Sequence, residues 1–231
     1  MAKQYEDDPG LFQLMKTELF TAVVGDVMDK MGLQHQFLPP YLKPLRDDMV
    51  VAGRAMPLLE ADWFSDIDEQ GHSEVTKKPF GLMMQALDDL KAGEVYMAAG
   101  ASPRYALWGE MMSTRAMQLG AVGAVVDGYS RDTRGILKLG FPVASRGRYA
   151  QDQGVRGKVV DWRVPIEIGG VRVCPGDLIF GDLDGVLVVP AKAEEEAIAL
   201  ALEKVRGENM VAKALNEGMS ATEAYETFGI M

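Results

Sequence analysis

Apolar positions recur along the chain with two periods, and the two alternate in a regular order. Residues 11–31 carry a helical pattern with a break at Phe20-Thr21. Thr21 is expected to cap a second helix bearing Val23, Val24, Val27, Met28 and Met31, with Gly32 as its stop. Residues 33–48 contain Pro39, Pro40 and Pro44 and read as an extended connection. Residues 49–59 read as a strand. Residues 60–80 are polar and irregular, with Asp62, Asp66, Asp68, Glu69, Gly71, Lys77 and Lys78, and read as a loop or lid.

A repeating unit follows. Met83, Leu87 and Leu90 stand at i, i+4, i+7, Lys91-Ala92-Gly93 stops that helix, and 94–99 is a short strand. Met112, Ala116 and Leu119 mark a helix over 109–119, closed by Gly120 before an apolar strand at 122–127. A third helix over 133–139 is closed by Gly140 before a strand at 141–145. Helix, glycine and strand in succession predict a parallel α/β sheet. After residue 158 the pattern changes to short strands at 158–161, 166–168, 171–173, 178–180 and 186–189. Gly169-Gly170 centres a predicted hairpin over 167–173, and Asp182-Leu183-Asp184-Gly185 predicts a further turn. A last long helix is expected over 191–206, with a short helix in the tail at 208–231. No stretch has the composition of a linker. The expectation is one mixed α/β domain over 1–231, with a core at about 20–205 and a helical extension at 206–231.

Composition narrows the function classes. The chain has 231 residues, 48% hydrophobic and 25% charged, which excludes disorder and leaves ample material for a core. A net charge of -10 repels phosphate backbones, so no nucleic-acid partner is expected. Only His35 and His72 are present, which removes His-rich zinc sites. The single cysteine, Cys174, permits no intramolecular disulfide and reads as a small buried apolar residue. The acidic N-terminus lacks the apolar region of a signal peptide, and no apolar run reaches the ~20 residues of a membrane span. A cytoplasmic location with no membrane association is the expectation.

Ligands of open α/β sheets sit beyond the carboxyl ends of the strands. Two such ends carry candidate chemistry. The first opens the helix Gly109-Glu110-Met111-Met112, whose unpaired amides make an anion site. The second is Asp127-Gly128-Tyr129-Ser130-Arg131-Asp132. There Arg131 offers a planar fork for a carboxylate, and Asp132 offers oxygen ligands for Mg²⁺. An Arg–Asp pair that only pins the loop satisfies the same spacing, and the residues alone leave both readings open. Asp127 is expected to support by hydrogen bonding, Asp182 and Asp184 to build an Asx turn, and Asp26 and Asp29 to lie on a solvated helix face. Lys138 and Lys158 are expected as solvated surface lysines.

Gly109-Glu110-Met111-Met112, Asp127-Gly128, Arg131-Asp132, Gly140-Phe141-Pro142-Val143, Pro175-Gly176-Asp177 and Gly181-Asp182-Leu183-Asp184-Gly185-Val186 occur in that order. The combination resembles the family that contains the regulator of ribonuclease E activity A and the class II 4-hydroxy-4-methyl-2-oxoglutarate aldolases. The resemblance covers about 20–205 and is strongest over 107–190. It implies a swivelling β/β/α domain with a mixed sheet, assembled as a homotrimer or a hexamer with sites between subunits. It implies a divalent-metal-dependent lyase, a class II pyruvate aldolase or oxaloacetate decarboxylase, with Mg²⁺ or Mn²⁺ as cofactor and a 2-oxo acid as substrate. Carried over by motif, the amides of Gly109, Glu110, Met111 and Met112 hold the pyruvyl group, Arg131 binds substrate, Asp132 binds the metal, and Glu110 reaches the metal through water. Both reactions pass through the enolate of pyruvate, whose charge a chelated cation stabilises.

The family also implies a glutamate from a neighbouring subunit's C-terminal helix. Glu194, Glu195, Glu196, Glu203 and Glu208 are all candidates. Two stretches depart from the compact family pattern: 60–80, which carries Trp63, Phe64 and His72, and the tail to Met231. Changes near a site alter what fits it, and a sugar-acid-derived 2-oxo acid is one alternative substrate. A non-catalytic regulator of an RNA-processing enzyme is the alternative function. Glu110, Arg131 and Asp132 occurring together favour the enzyme. No Gly-rich nucleotide loop follows a first strand, which sets aside a methyltransferase.

Overall fold

The computed structural model of the chain describes residues 4–63 and 72–229. Phe64, Asp66, Asp68, Glu69 and Gly71 of the expected loop lie outside the described residues. The chain opens with α1 (Asp8–Glu18) and α2 (Thr21–Lys30), separated by extended backbone at Leu19 and Phe20. The break is where the pattern put it, but Thr21 is not the cap. Phe20 holds the N-cap position and gives no side-chain bond. The cap arrives from far along the chain. Asp182 accepts from the Thr21 amide and the Thr21 hydroxyl, each at 2.7 Å. Its Oδ1 also accepts from the Asp184 amide at 2.9 Å, so the expected Asx turn is present and doubles as a helix cap. Asp182→Ala is expected to cost about 1–2 kcal/mol, read as a lower urea midpoint at unchanged slope.

Next come β1 (Lys43–Pro44) and β2 (Val51–Asp62). The repeating units supply α3 (Met83–Asp88), β3 (Glu94–Ala99), β4 (Ala106–Trp108), α4 (Glu110–Gln118), β5 (Gly123–Val126), β6 (Tyr129–Ser130), α5 (Thr133–Leu139) and β7 (Val143–Ser145). After them run β8 (Gly157–Trp162), β9 (Ile166–Ile168), β10 (Val171–Val173), β11 (Leu178–Gly181) and β12 (Val186–Val189). A 3-10 turn (Ala191–Ala193) leads into α6 (Glu194–Asn216) and α7 (Ala221–Phe228).

The main sheet has eight strands in the order β1-β7-β5-β3-β2-β11-β12, with β8 also paired to β2. β2, β3, β5 and β7 are mutually parallel, as the helix–glycine–strand units require. β1, β8, β11 and β12 join antiparallel, so the sheet is mixed. Gly120 and Gly140 close their helices at φ +79° and +70°, a conformation that disfavours any Cβ. β9 and β10 form the expected hairpin, turning through Gly169 and Gly170 at φ +58° and +87°.

Both sheet faces are covered, which is why β3, β5, β11 and β12 read as almost continuous apolar runs. On one face, Met56, Leu58, Tyr96, Ala124 and Val143 pack with residues of α3, α4 and α5. Ala52, Leu178, Phe180 and Val189 pack with α1, α2 and α6. The β9–β10 hairpin covers Ala55, Val95, Met97 and Ile179 on the other. Arg54 pins the sheet to the first and sixth helices by pairing with Asp8 and Glu194.

Three expectations need correcting. The last long helix does not end near residue 206. It continues to Asn216 because Val205, Gly207 and Val211 extend its buried stripe. Lys158 is not solvated: it is 7% exposed, and its ammonium donates to the backbone carbonyls of Lys78 and Pro79, the latter at 3.1 Å. β4 and β6 fall where no strand was expected, being too short to show a period. Among the described residues no helix is long and apolar enough to cross a membrane.

Candidate functional site

The two short unforeseen strands build the site. β4 and β6 pair in parallel, with Ala106 beside Tyr129 and Trp108 beside Ser130. The Arg131 amide continues the ladder by donating to the Trp108 carbonyl at 2.9 Å. Each strand runs straight into a helix: β4 through Gly109 into α4, and β6 through Arg131-Asp132 into α5. Two segments remote in sequence therefore end side by side, and Gly109, Glu110, Met111, Met112, Arg131 and Asp132 are brought together.

The corner at Gly109 is held from behind. The Trp108 indole donates to Ser113 Oγ at 2.7 Å, and Ser113 Oγ donates to the Gly109 carbonyl at 3.1 Å. The indole stacks on Phe141 and tilts against Tyr96. No side chain caps α4, so the first amides of that helix keep their capacity to bind an anion. A Cβ at Gly109 would stand 3.0 Å from Asp132 Oδ2, so glycine spares the carboxylate a tight contact there. Gly135 plays the matching part on α5, where a Cβ would collide with the Glu110 carboxylate. Glu110 and Asp132 thus border one open depression, with Thr133, Arg134, Gly135 and Lys138 around it. Lys138 is exposed, as expected.

Asp132 is the conformational outlier. It sits at φ +54°, ψ +32° and occupies the N-cap position of α5 without making a side-chain cap bond. Aspartate tolerates this left-handed region better than most residues, yet the usual gain of an aspartate N-cap is forgone. Its carboxylate is 45% exposed and lies 3.5 Å from the Arg131 guanidinium. Backbone strain of this kind gathers at functional sites, where the surrounding structure over-determines it.

Arg131 has a second partner that the pattern of residues did not signal. Its Nη1 lies 2.9 Å from Asp152 Oδ1. Asp152 is delivered by an isolated bridge to Ala106 and steadied by the Gly154 amide, which donates to Oδ2 at 2.8 Å. Gln153 follows it into the same wall. Both lie in an irregular stretch with no periodicity, and only the tertiary bridge to β4 reveals them.

A cleft of about 380 Å³ opens at this corner. Its lining includes Gly109, Arg131, Asp132 and Asp152 together with the apolar side chains of Phe80, Met83, Leu87, Trp108 and Met112. Among the described residues no group of three or more His, Cys, Asp or Glu converges as a metal cage.

Other candidates fall outside the cleft. Asp127 pairs with Arg146 at 2.7 Å and accepts from the Tyr41 hydroxyl at 3.2 Å, a network at the end of β5. Asp26 pairs with Lys204, which also holds Glu208. Glu194 is committed to Arg54 and to the Tyr5 hydroxyl. These pairings leave Glu195, Glu196 and Glu203 as the less engaged acids of α6. Cys174 is partly buried, and its amide donates to Asp177.

Comparison with known proteins adds the lineage. The RraA-like family model, described as Aldolase/RraA, matches residues 21–188. A protein of Halalkalibacterium halodurans named a putative 4-hydroxy-4-methyl-2-oxoglutarate aldolase is 31% identical over 89% of this chain and 89% of its own. A solved structure described as novel cellulases from gut-associated microbes is 31% identical with a TM-score of 0.76, covering 91% of this chain and 90% of that one. Streptomyces coelicolor RraAS2, described as an unusual member of the RNase ES inhibitor RraA family, shares the fold at 22% identity and a TM-score of 0.73, covering 90% and 98%.

Proposed function

This chain belongs to the RraA-like family, and from that premise we propose that it is a divalent-metal-dependent lyase that releases pyruvate from a 2-oxo acid. Retro-aldol cleavage and oxaloacetate decarboxylation both fit this reading. The observation that carries it is Asp132: a strained, partly exposed carboxylate withheld from capping, set against Gly109 and beside Arg131.

The roles follow from the chemistry of each group. Arg131 presents a guanidinium fork, steadied by Asp152, to the substrate carboxylate. The first amides of α4 meet the oxygens of the pyruvyl group. Asp132 would hold the cation, with Glu110 reaching it through water. Mg²⁺ keeps several waters and takes only one or two protein carboxylates, so two acids at an open depression suit it, and Mn²⁺ suits the same oxygen donors. Once bound, the cation stabilises the enolate charge left when the bond between C3 and C4 breaks. Apolar side chains flank the site, with Met111 79% exposed beside it. From the family we further propose assembly as a homo-oligomer, trimer or hexamer, with sites between subunits.

Pyruvate release, coupled to lactate dehydrogenase, tests the reading. The panel is 4-hydroxy-4-methyl-2-oxoglutarate, oxaloacetate and 4-hydroxy-2-oxo acids with uncharged C4 substituents. Turnover is expected with Mg²⁺, lost with EDTA and restored by added Mg²⁺. No release from any member with metal supplied would sink the lyase reading and leave the regulator of an RNA-processing enzyme, which needs none of these groups in this arrangement.

A further inference from the structure

Lys158 is a buried charge that the chemistry of the site does not use. It stands on β8 with 7% exposure, and burial draws its pKa down from the ordinary lysine value. Its ammonium lies 5.6 Å from the centre of the Trp63 ring, within reach of a cation–π contact. It donates to the carbonyls of Lys78 and Pro79, the last two before Phe80. An apolar side chain in this place would have no charge to desolvate, so what the ammonium holds calls for a reason.

The two carbonyls belong to a turn that β8 grips twice. The Gly81 amide donates to the Lys78 carbonyl at 3.2 Å and closes the turn. Val159, next to Lys158 on β8, donates its amide to the Phe80 carbonyl at 3.2 Å and accepts from the Leu82 amide at 2.9 Å. Gly81 passes so close, at φ +62°, that a Cβ there would stand 2.3 Å from the Val159 carbonyl oxygen. The Val159 backbone therefore ties down residues 80 and 82, and the Lys158 side chain ties down 78 and 79.

Phe80 carries this placement to the site. It lines the cleft together with Arg131 and Asp152. Gly154 neighbours both the Phe80 ring and the Asp152 carboxylate: a Cβ there would stand 3.5 Å from Phe80 Cε1 and 2.6 Å from Asp152 Oδ2. The Gly154 amide donates to that same Oδ2 at 2.8 Å, and Asp152 Oδ1 meets Arg131 Nη1 at 2.9 Å. The contacts run in sequence from Lys158 through Phe80 and the turn at 152–154 to the Arg131 guanidinium.

We propose that Lys158 is a positioning residue: by gathering the carbonyls ahead of Phe80 it sets that ring against Gly154, and so keeps Asp152 on Arg131 and the guanidinium aimed at a substrate carboxylate. The inference rests on the lyase reading only in giving Arg131 that carboxylate. Without the ammonium, two carbonyls lose a donor and the turn loosens at Phe80. The Asp152–Arg131 pair then gains freedom that a bound carboxylate has to remove, and the cost falls on ligand affinity.

Equilibrium dialysis of radiolabelled oxalate against the full chain in excess Mg²⁺ tests this without turnover. Oxalate offers the paired oxygens of a 2-oxo acid and yields no product. Lys158→Met keeps the stem, removes the ammonium and is expected to weaken oxalate about tenfold. Lys158→Arg, which keeps donors for both carbonyls, is expected to stay within about twofold of the parent. Phe80→Leu is expected to weaken oxalate about as much as Lys158→Met, and the double variant no further, because both act through one contact. Asp182→Ala removes the α2 cap and touches none of these contacts, so it is expected to lower stability and leave the affinity unchanged. Parental affinity in Lys158→Met, equal losses in Lys158→Met and Lys158→Arg, multiplied losses in the double variant, or the same loss in Asp182→Ala would each overturn the proposal. No oxalate binding by the parent would overturn it together with the carboxylate role of Arg131. The expected losses without pyruvate release from any substrate would uphold the positioning role and remove the lyase. Pyruvate release with parental oxalate affinity in Lys158→Met would do the reverse.

Discussion

Asp132→Asn is expected to lower kcat for pyruvate release by at least about 10²-fold while leaving stability within about 0.5 kcal/mol. The two halves of that expectation have separate causes. Asparagine accepts the left-handed backbone as readily as aspartate, and it fits the space beside Gly109. The fold therefore stays in place while the negative charge goes. Mn²⁺ affinity, followed by water-proton relaxation, should fall in parallel. Asp132→Gly sharpens the argument. Glycine relieves the backbone strain at φ +54°, so this variant is expected to match or exceed the parent in stability, by up to about 1 kcal/mol, and still lose activity. A variant that is firmer but inactive is the signature of strain kept for function. Near-normal turnover in Asp132→Asn would remove the residue from the mechanism.

The helix–glycine–strand units were legible because each is an amphipathic helix, a left-handed glycine and a buried strand, all local signals. Gly120, Gly140 and the Gly169-Gly170 hairpin stand where turn chemistry placed them. What local pattern cannot carry is a contact between remote segments. Asp182 capping Thr21 is one such case. The pairing of β4 with β6 is another, and it decides the site: three residues against two show no period, yet they align Gly109 with Asp132. Arg131 and Asp132 were found by residue type and motif, whereas Asp152 and Gln153 were not, since neither helix, strand nor motif marks them. Lys158 misled for the opposite reason. A lysine reads as surface unless the carbonyls that receive it are known, and these come from the turn before α3.

Glu60 is the second place where sequence and surroundings disagree, and there the disagreement is energetic. It follows Met56 and Leu58 on β2 past an irregularity in the pairing with β8, and it is 2% exposed with Oε1 unpartnered. Burial, and after it the nearby Asp62 charge, push its carboxyl up from 4.5 to about 8. Tyr96 on β3 feels the same group, its hydroxyl raised first by burial and then by the Glu60 charge, and Tyr105, beside β4, is raised by burial, then by its hydrogen bond to Asp62, and then by the Glu60 charge. A folded-state value above the unfolded one means that the folded protein holds this proton more tightly. The stability tied to Glu60 is therefore complete below pH 4.5, declines as the pH rises, and is lost through pH 8. Glu60→Gln keeps the shape and removes the titration. It is expected to equal the parent in urea unfolding below pH 4.5 and to exceed it on the order of 3 kcal/mol at pH 7. Unfolding curves at pH 4, 7 and 9 measure the gap. A gap that does not widen with pH would mean that the Glu60 proton is not what the folded state holds.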